Sequence, residues 1–149
     1  MNDFTRRARK IFQEYAPIEV RRLGHKSLRD EHIMLAMIRA ENFQFLKELV
    51  VGSIFSKLRV DAKRLAIEIE KLVEVHSFRQ ADGQTSNSAV PGIIESSRNE
   101  ARQLNHVCIG TEHVLLALLQ DKAGFVTAAL AEFGVTYQVV RDELRAMHG

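Results

Sequence analysis

Two sets of histidine and glutamate recur in the chain with the residue types and spacing of a chemical site. The sets are His25, Glu31 and His32, and then His106, Glu112 and His113. Imidazole and carboxylate groups are common metal ligands. Neighbouring helical residues point about 100° apart, so Glu31 and His32 are not expected to bind one ion together. We therefore predict no metal site, and expect the four histidines to be hydrogen-bonded positions where two helices meet.

The two glutamates have a structural and a binding interpretation. A carboxylate in the first turn of a helix is stabilised by the helix dipole by about 0.3–1 kcal/mol, which would account for both residues. In the binding interpretation, free N–H groups at the helix start hold an anion while the carboxylate binds a guanidinium. Glu112 and Glu31 would then bind a ligand that carries both charges. The residue types alone favour the structural interpretation.

Several function classes leave no trace in the sequence. There is no GxxxxGK[ST] phosphate loop, no GxSxG, no HExxH and no paired-cysteine metal spacing. Nothing marks a serine as a nucleophile beside a base. We expect a non-catalytic protein without a cofactor. An enzyme that uses metal-assisted chemistry at the histidines ranks third, far behind the two binding functions given below.

Composition and charge narrow the class of partner. The chain has 149 residues, 46% of them apolar, which suits one compact domain. No apolar run approaches the roughly 18 residues that span a membrane, and the single Cys108 fits a reducing cytoplasm. The first 29 residues hold eight basic and three acidic side chains, but the aromatic residues Phe4, Phe12 and Tyr15 do not alternate with these charges as base stacking would require. We predict a cytoplasmic, monomeric protein that binds neither nucleic acid nor a membrane.

An internal repeat organises the chain. Residues 16–39 match residues 97–120 at a constant offset of 81, with eight of 24 positions identical. Farther along, the correspondence resumes at an offset of 75, so the first copy carries six extra residues around Glu41 to Val50. We predict repeat one over about 4–76, a polar linker over about 77–88 and repeat two over about 89–148.

Each copy is predicted to form four helices. Gly24 and Asn105 follow the first helix of each copy, and both residue types tolerate the left-handed conformation beyond a helix end. Pro17 is expected to kink the first helix. The second helix is apolar on every side, as in the middle of a bundle, with Asp30 and Thr111 as predicted N-caps.

The third helix of the first copy is expected over Phe43 to Lys57, with a break at Gly52, and its counterpart over about Ala123 to Phe133. The fourth helices are expected to start at the caps Asp61 and Thr136. Their inward residues are predicted to be Ala62, Leu65, Ala66, Ile69, Leu72 and Val73 in the first copy and Val140, Leu144 and Met147 in the second. No segment alternates with a period of two, so the predicted fold is all-α, with two pseudo-twofold-related four-helix repeats in one compact eight-helix domain.

The motifs that carry this repeat resemble the N-terminal domain of the Clp ATP-dependent unfoldases, with most similarity to the ClpC type. They are Phe4-Thr5-x-Arg7-Ala8, Leu23-Gly24-His25, Glu31-His32, Leu104-Asn105-His106 and Gly110-Thr111-Glu112-His113-Val114-Leu115-Leu116. The resemblance covers nearly the whole chain. It implies a domain attached to AAA+ ATPase modules of the same or a partner chain, which binds adaptor proteins and protein substrates for unfolding and transfer to the ClpP protease.

In some proteins of the ClpC type, the resemblance further implies, the glutamate of each GTEH motif binds phosphoarginine, with the phosphate at the helix start. The matching residues here are Gly110, Thr111 and Glu112, and Glu31 in the first copy. The first copy departs from the motif, because Arg29 and Asp30 replace Gly-Thr and Asp30 adds negative charge where the phosphate would lie. A site at Glu112 is therefore better supported than one at Glu31. The alternative function is a free-standing accessory protein of the same fold that modulates a Clp complex.

Overall fold

The computed structural model describes residues 3–80 and 90–148. The α-helices in chain order are α1 (Arg6–Lys10), α2 (Ala16–Arg22), α3 (Asp30–Arg39), α4 (Val50–Lys57), α5 (Ala62–Gln80), α6 (Val90–Gln103), α7 (Thr111–Leu119), α8 (Phe125–Glu132) and α9 (Tyr137–His148). A π-helical turn (Ile11–Tyr15) joins α1 to α2, and a 3₁₀ helix (Phe45–Glu48) precedes α4. Counting the continuous rod from α1 to α2 once, the described residues form the eight predicted helices. One isolated β-bridge, between Phe4 and Ile109, adds to them.

The rod is irregular where Pro17 was expected to disturb it. Pro17 lies in the first turn of α2, directly after the π-helical turn. Proline has no N–H to donate to the preceding turn, and the N–H of Ala16 instead bonds the carbonyl of Ile11, five residues back. The chain therefore absorbs the missing donor by widening one turn, without a break in the rod.

Both predicted stops of the first helix in each copy are confirmed. Gly24 has φ 70° and Asn105 has φ 61°. In each case the next residue, His25 or His106, donates its N–H to a carbonyl of the last helical turn, at 2.9 and 2.8 Å. This turn sends the chain back towards the buried second helix and fixes where the histidine lies.

The predicted third helix of the first copy is wrong in its start and its break. Residues 41–44 form a turn, the 3₁₀ helix follows, and the chain changes direction at Leu49. Gly52 lies inside α4 and is buried. A Cβ atom at this position would lie 2.0 Å from the carbonyl oxygen of Leu46. Glycine is needed here for close approach of two backbones, so it does not end a helix.

The fourth helices begin as predicted. Asp61 Oδ1 accepts the N–H groups of Lys63 and Arg64, and Thr136 Oγ1 accepts that of Val139. The predicted inward stripes are buried or half-buried with one exception: Met147 is 44% exposed in the last turn of α9. Residues 77–80, predicted as linker, continue α5, and the rest of that segment lies outside the described residues.

One hydrophobic core serves both copies. Helix α4 contacts α7, α5 contacts α8, and α3 contacts both α7 and α8. All buried apolar side chains of the described residues belong to a single cluster, in which Leu35 and Leu116 are completely inaccessible to solvent. Among the described residues, no helix is long and apolar enough to cross a membrane. The two buried helices, α3 and α7, therefore present their N-termini from a rigid centre.

Candidate functional site

The start of α7 places the Glu112 carboxylate over the first turn of its own helix. Gly110 is the N-cap residue, with an extended backbone, and Thr111 is the first helical residue. A Cβ atom on Gly110 would lie 1.9 Å from Glu112 Oε1. The absence of a side chain at Gly110 thus gives the half-buried Glu112 carboxylate room to fold back over the N-terminus.

The predicted N-caps are wrong by one residue in both copies. The N-cap residues are Arg29 and Gly110, so Asp30 and Thr111 lie within the first turn. The cap function passes to a histidine three residues later: the N–H of Arg29 donates to His32 Nδ1 at 2.9 Å, and that of Gly110 to His113 Nδ1 at 2.8 Å. This is the reaching-back half of a capping box, with imidazole in the usual place of glutamate.

Each cap histidine also contacts the histidine that follows the first helix of its copy. His25 Nδ1 lies 2.7 Å from His32 Nε2, and His106 Nδ1 lies 2.7 Å from His113 Nε2. Because Nδ1 of the cap histidine accepts a backbone N–H, its proton is on Nε2, which donates to the partner ring. The repeated histidines therefore lie where two helices meet, each pair joining the end of one helix to the start of the next.

His25, Glu31 and His32 lie close enough together that they could hold a metal ion. One ligand atom from each of His25, Glu31 and His32 lies within 4.8 Å of the others, so the expectation that Glu31 and His32 diverge was wrong. The hydrogen bonds give a different obstacle. Burial lowers the pKa of His32 to about 4 and keeps the ring neutral. Its lone pair faces the N–H of Arg29, and a metal at Nε2 would have to displace a proton.

We expect added Zn²⁺ to leave the thermal midpoint of unfolding unchanged. A native site at a hundredfold excess of metal over its Kd would stabilise the fold by about 2.7 kcal/mol, which is roughly 5–10 °C in a domain of this size. Differential scanning fluorimetry with and without Zn²⁺ measures the shift. A rise of several degrees that disappears in His25→Ala would show that the three side chains do bind metal.

The first copy differs at the same place because Asp30 occupies it. Asp30 Oδ1 accepts the N–H of Glu31 at 3.0 Å, which uses one donor of the first turn internally. Both carboxyl groups are buried. Desolvation, then a hydrogen bond with the neighbouring Glu31 carboxyl, raise the pKa of Asp30 to about 8. Below about pH 8 the Asp30 carboxyl is therefore protonated, and it already occupies the start of α3.

A small cleft opens beside Asp30. It has a volume of about 120 Å³ and lies between the start of α3, the first turns of α6 and the end of α7, with Ser96 and Asp121 in its lining. Asp121 also contributes to the raised pKa of Asp30. Within the described ranges of the chain, the lining of this cleft has two carboxyl groups and no cationic side chain that would attract a phosphate.

Glu19 and Glu100 form one of the eight identical pairs of the repeat, and the sequence motifs assign them no role. Both are buried in the first helix of their copy. Glu100 accepts hydrogen bonds from Gln120 and Tyr137, each at 2.7 Å. Glu19 is paired with Arg22 at 2.8 Å and Arg39 at 3.5 Å. Arg39 and Gln120 are matching positions of the repeat, so each glutamate fastens the end of the buried helix. Their identity at the offset of 81 was the available signal.

In the second copy, the backbone N–H groups in the first turn of α7 remain available as hydrogen-bond donors. The N–H groups of Thr111 and Glu112 form no hydrogen bond with an acceptor in the described part of the chain. Uncapped N–H groups at a helix start attract an anion. Of the predicted ligand-site residues, the structure places Gly110, Thr111 and Glu112 side by side at the start of α7, where Gly110 and Thr111 are buried and Glu112 is half-buried, while Glu31 is fully buried.

Comparison with known proteins agrees with this architecture. Residues 85–149 match the family model described as the Clp repeat (R) N-terminal domain. The chain is 29% identical over 98% of its length to the chaperone protein ClpB of Oceanobacillus iheyensis. It is 30% identical over 98% of its length to the negative regulator of genetic competence ClpC/MecB of Bacillus subtilis. In both cases it spans 17% of the relative.

Solved structures share the fold. The N-terminal domain of Hsp104 from Candida albicans superimposes with a TM-score of 0.68 at 16% identity, over 99% of this chain and 92% of that one. The repeat, the eight helices and these matches lead to one conclusion: the chain belongs to the family of Clp N-terminal domains.

Proposed function

We propose that the chain is a non-catalytic recognition domain of an ATP-dependent Clp unfoldase, and that Gly110, Thr111 and Glu112 form its site for phosphoarginine-marked proteins. Clp N-terminal domains mediate contacts with substrates and adaptors. The chain spans about a sixth of its curated relatives, so the motor and its activity are part of the proposal. We place this function in the cytoplasm, in line with the single cysteine.

The observation that carries the ligand proposal is the contrast between the two helix starts. In α7, the N–H groups of Thr111 and Glu112 have no acceptor among the described residues, and the Glu112 carboxylate lies beside them. In α3, Asp30 has taken the equivalent N–H of Glu31. A guanidinium joined to a phosphate would satisfy both groups at α7, because the carboxylate binds the cation and the helix start binds the anion.

Titration calorimetry with free phosphoarginine tests this site. We expect binding of one molecule per chain, and a loss of about tenfold or more in affinity for Glu112→Gln, since a charged hydrogen bond contributes about 1.5–3 kcal/mol. Gly110→Ala should also weaken binding, because its methyl group would displace the Glu112 carboxylate while an ordinary backbone conformation is kept. No heat from the unaltered protein would dismiss phosphoarginine as a ligand.

A gain-of-site variant supplies the matched control. Arg29→Gly combined with Asp30→Thr restores the motif of the second copy at α3. If Asp30 is what closes the first site, this variant should bind a second molecule of phosphoarginine. Unchanged stoichiometry would mean that burial of Glu31, and not the Asp30 carboxylate, excludes the ligand. Arginine without phosphate is the negative control for the anion half of the site.

A further inference from the structure

A pocket of about 450 Å³ lies outside the helix starts and belongs to the first copy alone. It opens between the segment that contains the six extra residues, here called the insertion (residues 41–50), the exposed side of α4 and the start of α5. Phe43, Leu46, Phe55 and Val60 supply its apolar lining, and Lys47 and Lys63 lie in its wall. This volume is in the range of pockets that bind a large side chain or a small ligand.

The backbone of the insertion adopts a costly conformation to form this pocket. Glu41, Asn42 and Phe43 are consecutive non-glycine residues with φ of 54°, 54° and 69°. Left-handed conformations cost roughly 1–2 kcal/mol each, so the surrounding structure has to hold them. Tyr15 does so by donating its hydroxyl to Glu41 Oε2 at 2.5 Å. Backbone strain of this kind is concentrated at functional sites in proteins, and here it lies in a segment that the second copy lacks.

The insertion turns the Phe43 ring towards cations. The Arg39 guanidinium and the Lys63 ammonium each lie 5.7 Å from the centre of that ring. Phe43 is only half-buried, whereas Leu46 and Phe55 are buried beneath it. The pocket therefore combines a partly open aromatic wall with an apolar floor.

Charge at the pocket favours an anionic occupant. Lys47 and Lys63 are exposed, and neither forms an ion pair with a carboxylate of the described residues. The nearest acid in the lining, Asp61, is committed to capping α5 through the N–H groups of Lys63 and Arg64. Cationic groups without a carboxylate partner beside an apolar floor match a ligand that is apolar at its centre and negative at its edge.

We propose that this pocket is a second recognition site, which binds a large apolar side chain flanked by acidic residues in an unfolded segment of a client protein. The proposal rests on the recognition function above and assigns it a site distinct from Glu112. The floor holds the apolar side chain, and the two lysines attract the flanking carboxylates. Folded proteins bury their large apolar side chains, so the pocket selects segments that have lost their structure.

Binding of short peptides to the ¹⁵N-labelled chain, followed by NMR amide shifts, tests the proposal. The probe is an acetylated, amidated peptide with the sequence Gly-Ser-Asp-Phe-Asp-Ser-Gly. We expect shifts centred on residues 43–63 and saturable binding. Replacing both aspartates of the peptide by lysine, or its phenylalanine by serine, should weaken binding at least about fivefold. Shifts elsewhere, or equal affinity for the three peptides, would overturn the proposal.

Variants of the protein separate the two halves of the pocket. Lys63→Glu reverses a charge in the wall and should weaken binding of the aspartate peptide about fivefold. Lys71→Glu is the control, because it makes the same change at an exposed position two turns farther along α5. Ser56→Phe, at an exposed lining position, should fill the pocket and abolish binding. Equal effects of the two lysine variants, or full binding by Ser56→Phe, would contradict the site.

Competition keeps this proposal separate from the phosphoarginine site. Saturating phosphoarginine should not displace the aspartate peptide, because the two sites share no residue. Peptide binding that phosphoarginine abolishes would show one common site and overturn the second one. If the chain binds phosphoarginine but not the peptide, the pocket proposal alone is wrong. If it binds the peptide but not phosphoarginine, only the phosphoarginine proposal is wrong.

Discussion

Gly52→Ala is expected to lower the free energy of unfolding by about 2–3 kcal/mol, in the range of overpacked buried positions. The new Cβ atom would lie 2.0 Å from the carbonyl oxygen and 2.9 Å from the carbonyl carbon of Leu46. Both are backbone atoms, so no side chain can rotate to relieve the contact. The 3₁₀ helix would have to separate from α4. Urea denaturation followed by circular dichroism measures the loss.

Gly92→Ala is the matched control for this substitution. Gly92 is an exposed glycine inside α6, where alanine is favoured by up to about 1 kcal/mol through helix propensity. We expect this variant to be as stable as the unaltered protein or slightly more so. If both glycine variants unfold at the same urea concentration, the close approach of Gly52 to Leu46 is not present in solution.

Asp30→Asn is expected to stabilise the protein by an amount on the order of 3 kcal/mol at pH 8. Burial and the adjacent Glu31 carboxyl raise the pKa of Asp30 to about 8, whereas an aspartate in the unfolded chain has a pKa of about 3.9. The folded state therefore binds more protons between these values, and stability falls as the pH rises from about 4 to about 8. Asparagine keeps the oxygen that accepts the N–H of Glu31 and carries no charge.

The pH interval decides how this effect is measured. His32 has the opposite influence, because burial lowers its pKa to about 4 from about 6.5 in the unfolded chain. Its contribution to stability is complete above pH 6.5 and is lost as the pH falls towards 4. Between pH 6.5 and 8 the Asp30 effect stands apart from that of His32. Urea denaturation at several pH values in this interval should show a declining stability in the unaltered protein and a flatter profile in Asp30→Asn.

Asp142→Asn gives the control for loss of a negative charge. Asp142 is exposed on α9, where it accepts a hydrogen bond from Gln138 of the same helix. Its substitution should leave the slope of stability against pH as it is. If Asp30→Asn and the control have the same slope, the Asp30 carboxyl is not held protonated by the fold.

The sequence predicted most of the helical framework because its signals are local. A left-handed residue after a helix requires a tolerant side chain, and Gly24 and Asn105 have that conformation. Caps such as Asp61 and Thr136 act over two or three residues. The offset of 81 then indicated that two equivalent units pack together, which needs no knowledge of individual contacts.

Other features depend on contacts between distant residues and were mispredicted. Asp30 and Thr111 have the right residue types for N-caps, but His32 and His113 fulfil that role from three residues farther on. The choice depends on His25 and His106, which lie on a neighbouring turn and orient those rings. A single sequence shows the histidines but not which nitrogen of each ring accepts a hydrogen bond.

Gly52 and Met147 show the same limit more strongly. Glycine in a predicted helix can mark a break or a close approach, and only the position of Leu46 decides between them for Gly52. Met147 follows the apolar period of α9, yet the core ends before the last turn of that helix. The sequence motif indicated the candidate site at Glu112. Only the structure shows how the first copy differs, because there the Asp30 carboxyl accepts the N–H of Glu31.

The interleaving of the two copies has a consequence for how the domain comes apart. The N-terminal residues are bonded to the second copy. The N–H of Thr5 donates to the carbonyl of Ile109, the N–H of Ile109 donates to the carbonyl of Asp3, and Arg98 pairs with Asp3 at 2.7 Å. Lys57 of α4 pairs with Glu143 of α9 at 2.7 Å. If a protease cut the chain between residues 80 and 90, the two fragments would therefore remain bound to each other. Neither fragment would have a complete hydrophobic core without the other.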